Sequence, residues 1–495
     1  MLWLSEDETT LKRAELRGNS RISGGPAAAA AEGMSARDID LTYAPDGRTL
    51  QQARLVENAS VRINSPGGAR TVSASTIDLT MGADGSTVTG LNANQNVVVE
   101  LPPSADAPAR RITSATLSGG GVEGLQNATF AGGVVFHEIK PAGRGAAATG
   151  ERTARSQRLI VQTQPGFGAL QQADFRGTVH IVDGGTVADG QRIVHQVAQD
   201  SFDVMMSPGD PGPSPAVNDG RILVNARTIN FTIGTRKLKA DGDVRSSVQP
   251  SRRDPAKPQP TAAGRGRGGA AAADSGKMPS MLKQDQPVNV TSARLDYDGA
   301  AGSATYTGNA KLWQDQTQIQ ADEIVVDDRS GNLTGRGHVR TVMFFDEVDE
   351  KTKAKRHVQT TATADNLVYE DVKRLATYTT GPTAKAHMVG TQGDVTADRI
   401  QLFMKQNAGE LERAEADGAV TVKEGIRTAT GQHLTYTTAD ETYVMTGSPV
   451  EIEERKETEC RISSGNTLKF RKAGEAMTLD NNQYVPVKFR QCPAK

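Results

Sequence analysis

The sequence predicts an all-β protein built as an elongated stack of two-strand repeats, and three observations carry that prediction. One phrase recurs along the chain. Residues 321–339 read ADEIVVDDRSGNLTGRGHV, where Ala321-Asp322 leads into alternating Ile324 and Val326, a polar turn follows, and Leu333, Gly335, Gly337 and Val339 complete the unit. It returns from Ala364-Asp365 with Leu367 and Tyr369, and from Ala397-Asp398 with Ile400 and Leu402, the last running on through Leu411, Ala414, Gly418, Val420 and Val422. Such self-similarity is the signature of stacked architectures, which offer a long groove and not a single pocket. The second observation is the period within each copy: apolar and polar residues alternate, as in a strand with one buried face, and helical spacing is not sustained anywhere. The third is composition. Only 36% of the 495 residues are hydrophobic and 4% aromatic, beside 51 glycines, which suits a thin core spread along a stack, each unit burying its apolar face against its neighbours.

Weaker copies extend the pattern in both directions. Their anchors are Ile39/Leu41, Ile77/Leu79, Leu117, Leu159/Val161, Ile229/Phe231, Leu295/Tyr297, Leu434/Tyr436 and Leu468/Phe470. They recur at about 30–40 residues, with the intervals 159–229 and 229–295 near double that. A lost copy or long insertions are expected there. Each copy reads as two short strands joined by a turn such as Asp327–Asn332, where Asp, Asn and Gly tolerate a tight backbone. Three regions follow: an N-terminal repeat array over 1–249, a Pro/Gly/Ala-rich linker or loop over 250–287, and a stronger repeat array over 288–495.

The N-terminus shows no basic segment followed by an apolar stretch, so neither a signal nor an anchor is visible. Leu11, Ala14, Gly18 and Ile22 match Leu411, Ala414, Gly418 and Val422 in register. A chain that opens within a repeat is expected to lack upstream sequence.

Little in the chain carries chemistry. The 7 histidines stand singly, without metal-ligand spacing. Asp322, Asp365 and Asp398 recur, yet each is read as a turn residue opening a strand, because no calcium-loop pattern accompanies them. Gly264–Gly269 (GRGRGG) lacks the strand and helix of a phosphate loop and the aromatics of an RNA-binding tract, so it is read as linker. A net charge of −1 gives no field that attracts nucleic acid. No catalytic constellation, cofactor or metal site is found, and the chain is read as a non-enzyme. The 2 cysteines, Cys460 and Cys492, are candidates for a disulfide over the last strands or for two unrelated thiols.

The phrase Ala-Asp-x-Ile/Leu, a turn, then Gly-x-Val resembles the OstA-like family, the periplasmic lipopolysaccharide-transport A- and C-type proteins and the N-terminal domain of their outer-membrane partner. The resemblance is good over about 288–480 and fainter over 11–249. It implies a β-jellyroll, two sheets splayed like a folded taco, whose inward side chains line an apolar trough. The trough-lining candidates are Ile324, Val326, Leu367, Tyr369, Ile400, Leu402, Leu434, Tyr436, Leu468 and Phe470. It further implies a periplasmic bridge that shields the acyl chains of lipopolysaccharide or a similar glycolipid and pairs edge to edge with other jellyroll components. A right-handed β-helix, as a stalk or a polysaccharide-acting protein, is the alternative; the longer intervals and the lack of aromatic ladders count against it.

Overall fold

The computed structural model describes residues 1–495 except 7, 24–30, 65–67, 104–106, 140–149, 207–213, 251–276, 349–354, 391–392, 406–409, 457–458, 472–476, 481–487 and 492–495. Among the described residues there are thirty-one strands and one helical turn, the 3-10 segment Val197–Gln199. The fold is all-β, as the alternation predicts. Successive strands pair antiparallel, for example Ser303–Gln314 with Thr317–Asp327 and the latter with Asn332–Val348. That pairing removes the β-helix alternative, whose coils stack parallel strands.

The repeat phrase encodes a bend in the middle of each strand. Alternate strands carry two consecutive left-handed residues: Gly18-Asn19, Glu57-Asn58, Gln95-Asn96, Gly132-Gly133, Gly177-Thr178, Gly242-Asp243, Gly308-Asn309, Gly337-His338 and Gly418-Ala419. The ladder register shifts at the same place, as between Gln320 and Glu323 opposite Arg340 and Arg336. Such a bulge turns the strand and increases its twist. The buried alternation is re-phased across the bend, so Ile319 and Ala321 on one side and Ile324 on the other all face inward. Each long strand therefore divides into two arms that contribute to two facing walls, and shorter strands such as Leu375–Thr379 and Ala386–Gly390 supply one arm each.

The bend also corrects the reading of the aspartates. Asp322 and Asp365 lie inside the strands Thr317–Asp327 and Lys355–Glu370 and open neither, whereas Asp398 sits in a bend immediately before the strand Arg399–Met404. Each Asp meets the corner of the next strand. Asp365 Oδ2 accepts a hydrogen bond from the Gly381 amide at 2.8 Å. Asp322 Oδ2 lies 2.8 Å from His338 Nδ1 and holds that imidazole above its usual pKa. At Gly337 (φ +72°) a Cβ would collide with the Asp322 carboxylate, and at Gly418 (φ +78°) with that of Asp398. Among the described residues no cluster suited to a metal is found.

The chain forms two compact units, Met1–Ala240 and Asp241–Lys495. Within the first, one inward row runs Ile39, Leu55, Ile77, Ala93, Leu117, Phe130, Leu159, Phe175, Ile193 and Val204 across successive strands. The interval 159–229 has therefore lost no rung. Ile193 occupies one, and the next is split into Ser201–Met205 and Ala216–Asn218, which pair separately with the arms of Thr186–Gln196. Residues 207–213 separate these two pieces in sequence and interrupt the anchor spacing.

The other arms of this unit carry something the apolar pattern hides. Arg110, Glu138, Arg152 and Asp183 face each other on successive strands, all buried. Arg110 Nε donates to Glu138 at 2.7 Å, and Arg152 donates to Glu138, Asp183 and Asp200 at 3.2, 2.7 and 2.8 Å. His195 stacks on Phe202 beside them, and burial pushes its pKa down. An ion-pair ladder of this kind is satisfied only as a set.

Two stability outcomes follow. Gly337→Val should lower the stability of the second unit by about 1–3 kcal/mol in chemical denaturation, whereas Gly335→Ala, whose Cβ would sit 3.5 Å or more from its neighbours, should change it far less; equal effects would contradict the corner assignment. Arg152→Met should cost about 3–5 kcal/mol by stranding buried carboxylates. Adding Glu138→Gln and Asp183→Asn should recover part of that loss, and a triple variant no more stable than the single one would show the ladder is not coupled.

Candidate functional site: the groove of the second unit

All ten trough-lining candidates fall on one wall, in two adjacent rows. In the first row Ile324 pairs through Gly335 to Leu367, through Tyr378 to Ile400, through Ala416 to Leu434 and through Met445 to Leu468. In the second, Val326, Leu333, Tyr369, Ala376, Leu402, Ala414, Tyr436, Tyr443 and Phe470 follow in the same order. Sequence anchors mark every second strand; the intervening strands place Gly335, Tyr378, Ala416 and Met445 in the first row and Leu333, Ala376, Ala414 and Tyr443 in the second. The facing wall has no such phrase. It is made by Val290, Leu312, Ile319, Thr341, Ala362, Val395, Val422, Ala429 and Ile452.

The two rows differ in what they can do. The first lies next to the corner and is closed: Ile324, Leu367 and Leu468 are 0% exposed and Leu434 3%. Hydrogen bonds tie the walls together at this depth. Tyr378 reaches Thr341 at 2.9 Å and Tyr306 reaches Ser246 at 2.9 Å, and burial raises both phenols to about 12. This row is core. The second row stands farther from the corner; Leu333, Tyr369, Ala376 and Leu402 in its middle are as fully buried as the first row, and only Val326 and Phe470 at its two ends are partly buried. At its far end Tyr436, Tyr443 and Phe470 stack, with centroids 4.5 and 4.7 Å apart. An aromatic ladder thus exists where the sequence shows none, because its members are separated by whole strands. Phe470 and Met477 line an opening shared with Val422, Ala429 and Ile452 of the opposite wall.

Between Tyr369 and the opposite wall the mouth is crossed by residues 277–287. Residues 251–276 of the expected linker lie outside the described residues, but this last part is packed, with Met278, Met281 and Leu282 buried. It carries no strand, as a linker or loop would, yet it is buried against the groove. Ser280 donates its amide to Asp371 at 2.6 Å, and its hydroxyl lies 2.8 Å from that of Tyr369. Cys460 is buried and disulfide-bonded; its expected partner Cys492 lies outside the described residues.

Comparison with known proteins agrees with the repeat phrase. The family model described as LptA/(LptD N-terminal domain) LPS transport protein matches residues 289–389 and 363–473. No curated protein matches the chain. Among solved structures, LptH from Pseudomonas aeruginosa, described as the LptA homologous periplasmic component of the conserved lipopolysaccharide transport device, shares 15% identity over 27% of this chain and 84% of that one, with a TM-score of 0.21; at that score the likeness carries no argument. The match and the corner-encoded phrase coincide on the same strands, so over residues 289–473 the chain is similar to that family.

Proposed function

We propose that the second unit is a periplasmic component of lipopolysaccharide transport that holds acyl chains in the outer part of its groove while the sugar headgroup stays in water. The observation that carries this reading is the unbroken second row, Val326 to Phe470, facing a second apolar wall within the stretch that matches the transport family. Each methylene moved from water into such a groove contributes about 0.8 kcal/mol. Near-equivalent apolar residues on every strand make neighbouring positions similar in energy, which favours movement along the row over deep trapping. Unpaired strand edges of such a stack suit edge-to-edge pairing with other jellyroll components, and the proposal includes that bridge role.

A photo-crosslinking residue at Tyr436 or Phe470 should label added lipopolysaccharide, and one at the outward positions Thr435 or Lys469 should not. Equal labelling of both faces, or none, would leave a structural repeat protein without lipid cargo. Phe470→Asp should weaken lipopolysaccharide binding while Lys469→Asp leaves it unchanged, because a carboxylate beside acyl chains costs several kcal/mol unless it is protonated; circular dichroism separates loss of binding from loss of fold.

A further inference from the structure

We infer that the groove section between Tyr369 and Phe345 is an acyl-chain subsite that the protein keeps occupied with its own segment Lys277–Gln286, which a lipid must displace to enter. The inference rests on the lipid reading above and concerns how that same groove is opened. The segment runs from one wall to the other. At its start, Lys277 is held by the Asp328 carbonyl and forms an ion pair with buried Asp371. At its end, the Lys283 amide donates to Gln314 Oε1 at 2.6 Å, and Gln314 Nε2 returns hydrogen bonds to the carbonyls of Lys283 and Gln286 at 2.8 and 3.0 Å. Tyr369 belongs to the wall of the second row and Asp371 to the turn that follows its strand; Gln314 ends an arm of the other wall. Between these two anchorages Met278, Met281 and Leu282 turn inward, where an acyl chain would lie.

Three features make it a displaceable occupant and not a further piece of sheet. No ladder pairing holds it; its ties to the walls are mostly side-chain hydrogen bonds, and Gln284 Nε2 closes the loop on itself through the carbonyls of Pro279 and Leu282 at 3.1 and 3.0 Å. Its apolar contribution comes largely from methionine, whose flexible thioether fills space without demanding one packing. A cavity of about 290 Å³ remains beside it, with Met281, Met343, Phe345 and Met404 as its apolar lining and polar residues such as Gln314 and Asp315 at its rim. That space is an entry point for a chain competing for the same apolar walls. An occupied groove lowers apparent affinity by the fraction of time it is closed.

The test uses the purified full chain and lipopolysaccharide as probe. Replacing the inward residues together (Met278→Ser, Met281→Ser, Leu282→Ser) should tighten binding by about tenfold, because the competent state becomes more populated. Asp371→Asn, which weakens an anchorage without touching the apolar residues, should shift affinity in the same direction. In the unaltered protein, added lipopolysaccharide should speed tryptic cleavage after Lys277 and Lys283. If the unaltered protein binds lipopolysaccharide, the variants bind no more tightly and both lysines stay protected, the segment is permanent core and the inference falls while the lipid reading stands. If no form binds, the lipid reading falls and takes the inference with it.

Discussion

The structure depends on a bend of two residues. A flat strand with strict alternation presents one face to one side, and a stack of such strands would give a single half-covered sheet. A left-handed pair such as Gly337-His338 in one strand, set against the register shift at Ala321-Asp322 in its neighbour, re-phases the alternation. Apolar residues on both arms then face the same interior, and one chain builds two walls at once. The same requirement explains why the phrase reads as it does: a small residue and Asp on one strand must meet Gly on the next, since a Cβ at Gly337 or Gly418 would occupy the space of the Asp carboxylate.

Depth within the groove decides what each apolar residue does. Close to the corner the walls are near enough for side chains to fill the gap and for Tyr306 and Tyr378 to reach across it with hydrogen bonds, so Ile324, Leu367, Ile400 and Leu434 hold the fold together. Farther out the second row is also buried in its middle, and space remains beside Phe470, at the end of the stacked Tyr436, Tyr443 and Phe470, and beside the segment at Met278–Leu282. The first unit fills its corresponding arms differently. Its ladder of Arg110, Glu138, Arg152 and Asp183 places buried charge where an acyl chain would need hydrocarbon. The lipid proposal accordingly rests on the second unit alone.

Much of this was legible in the sequence, for a definite reason. Period-two alternation and the recurring Ala-Asp and Gly-x-Val are both direct consequences of the bent strand, so the all-β class could be read from them, while the jellyroll and one wall came from the family resemblance that the phrase carries. The opposite wall was not legible because its positions tolerate Thr, Ala and Met as readily as Val, leaving no phrase. Asp322 was misplaced because Asp favours turns as well as corners, and only pairing with the next strand distinguishes the two. The rung at Ile193 was missed because its neighbour is split by residues 207–213. Residues 277–287 gave no signal at all: a short Pro- and Met-containing stretch reads as linker unless its partners, Gln314 and Asp371, are known.

The central claim is that the outer part of the second unit's groove holds hydrocarbon between two walls. An experimental structure of the full chain with bound lipopolysaccharide tests it most directly. The account predicts acyl chains lying between the row of Tyr436 and Phe470 and the wall of Val422 and Ile452, with the headgroup outside the mouth. Acyl chains resting on the outer face, beside Thr435 and Lys469, would contradict it.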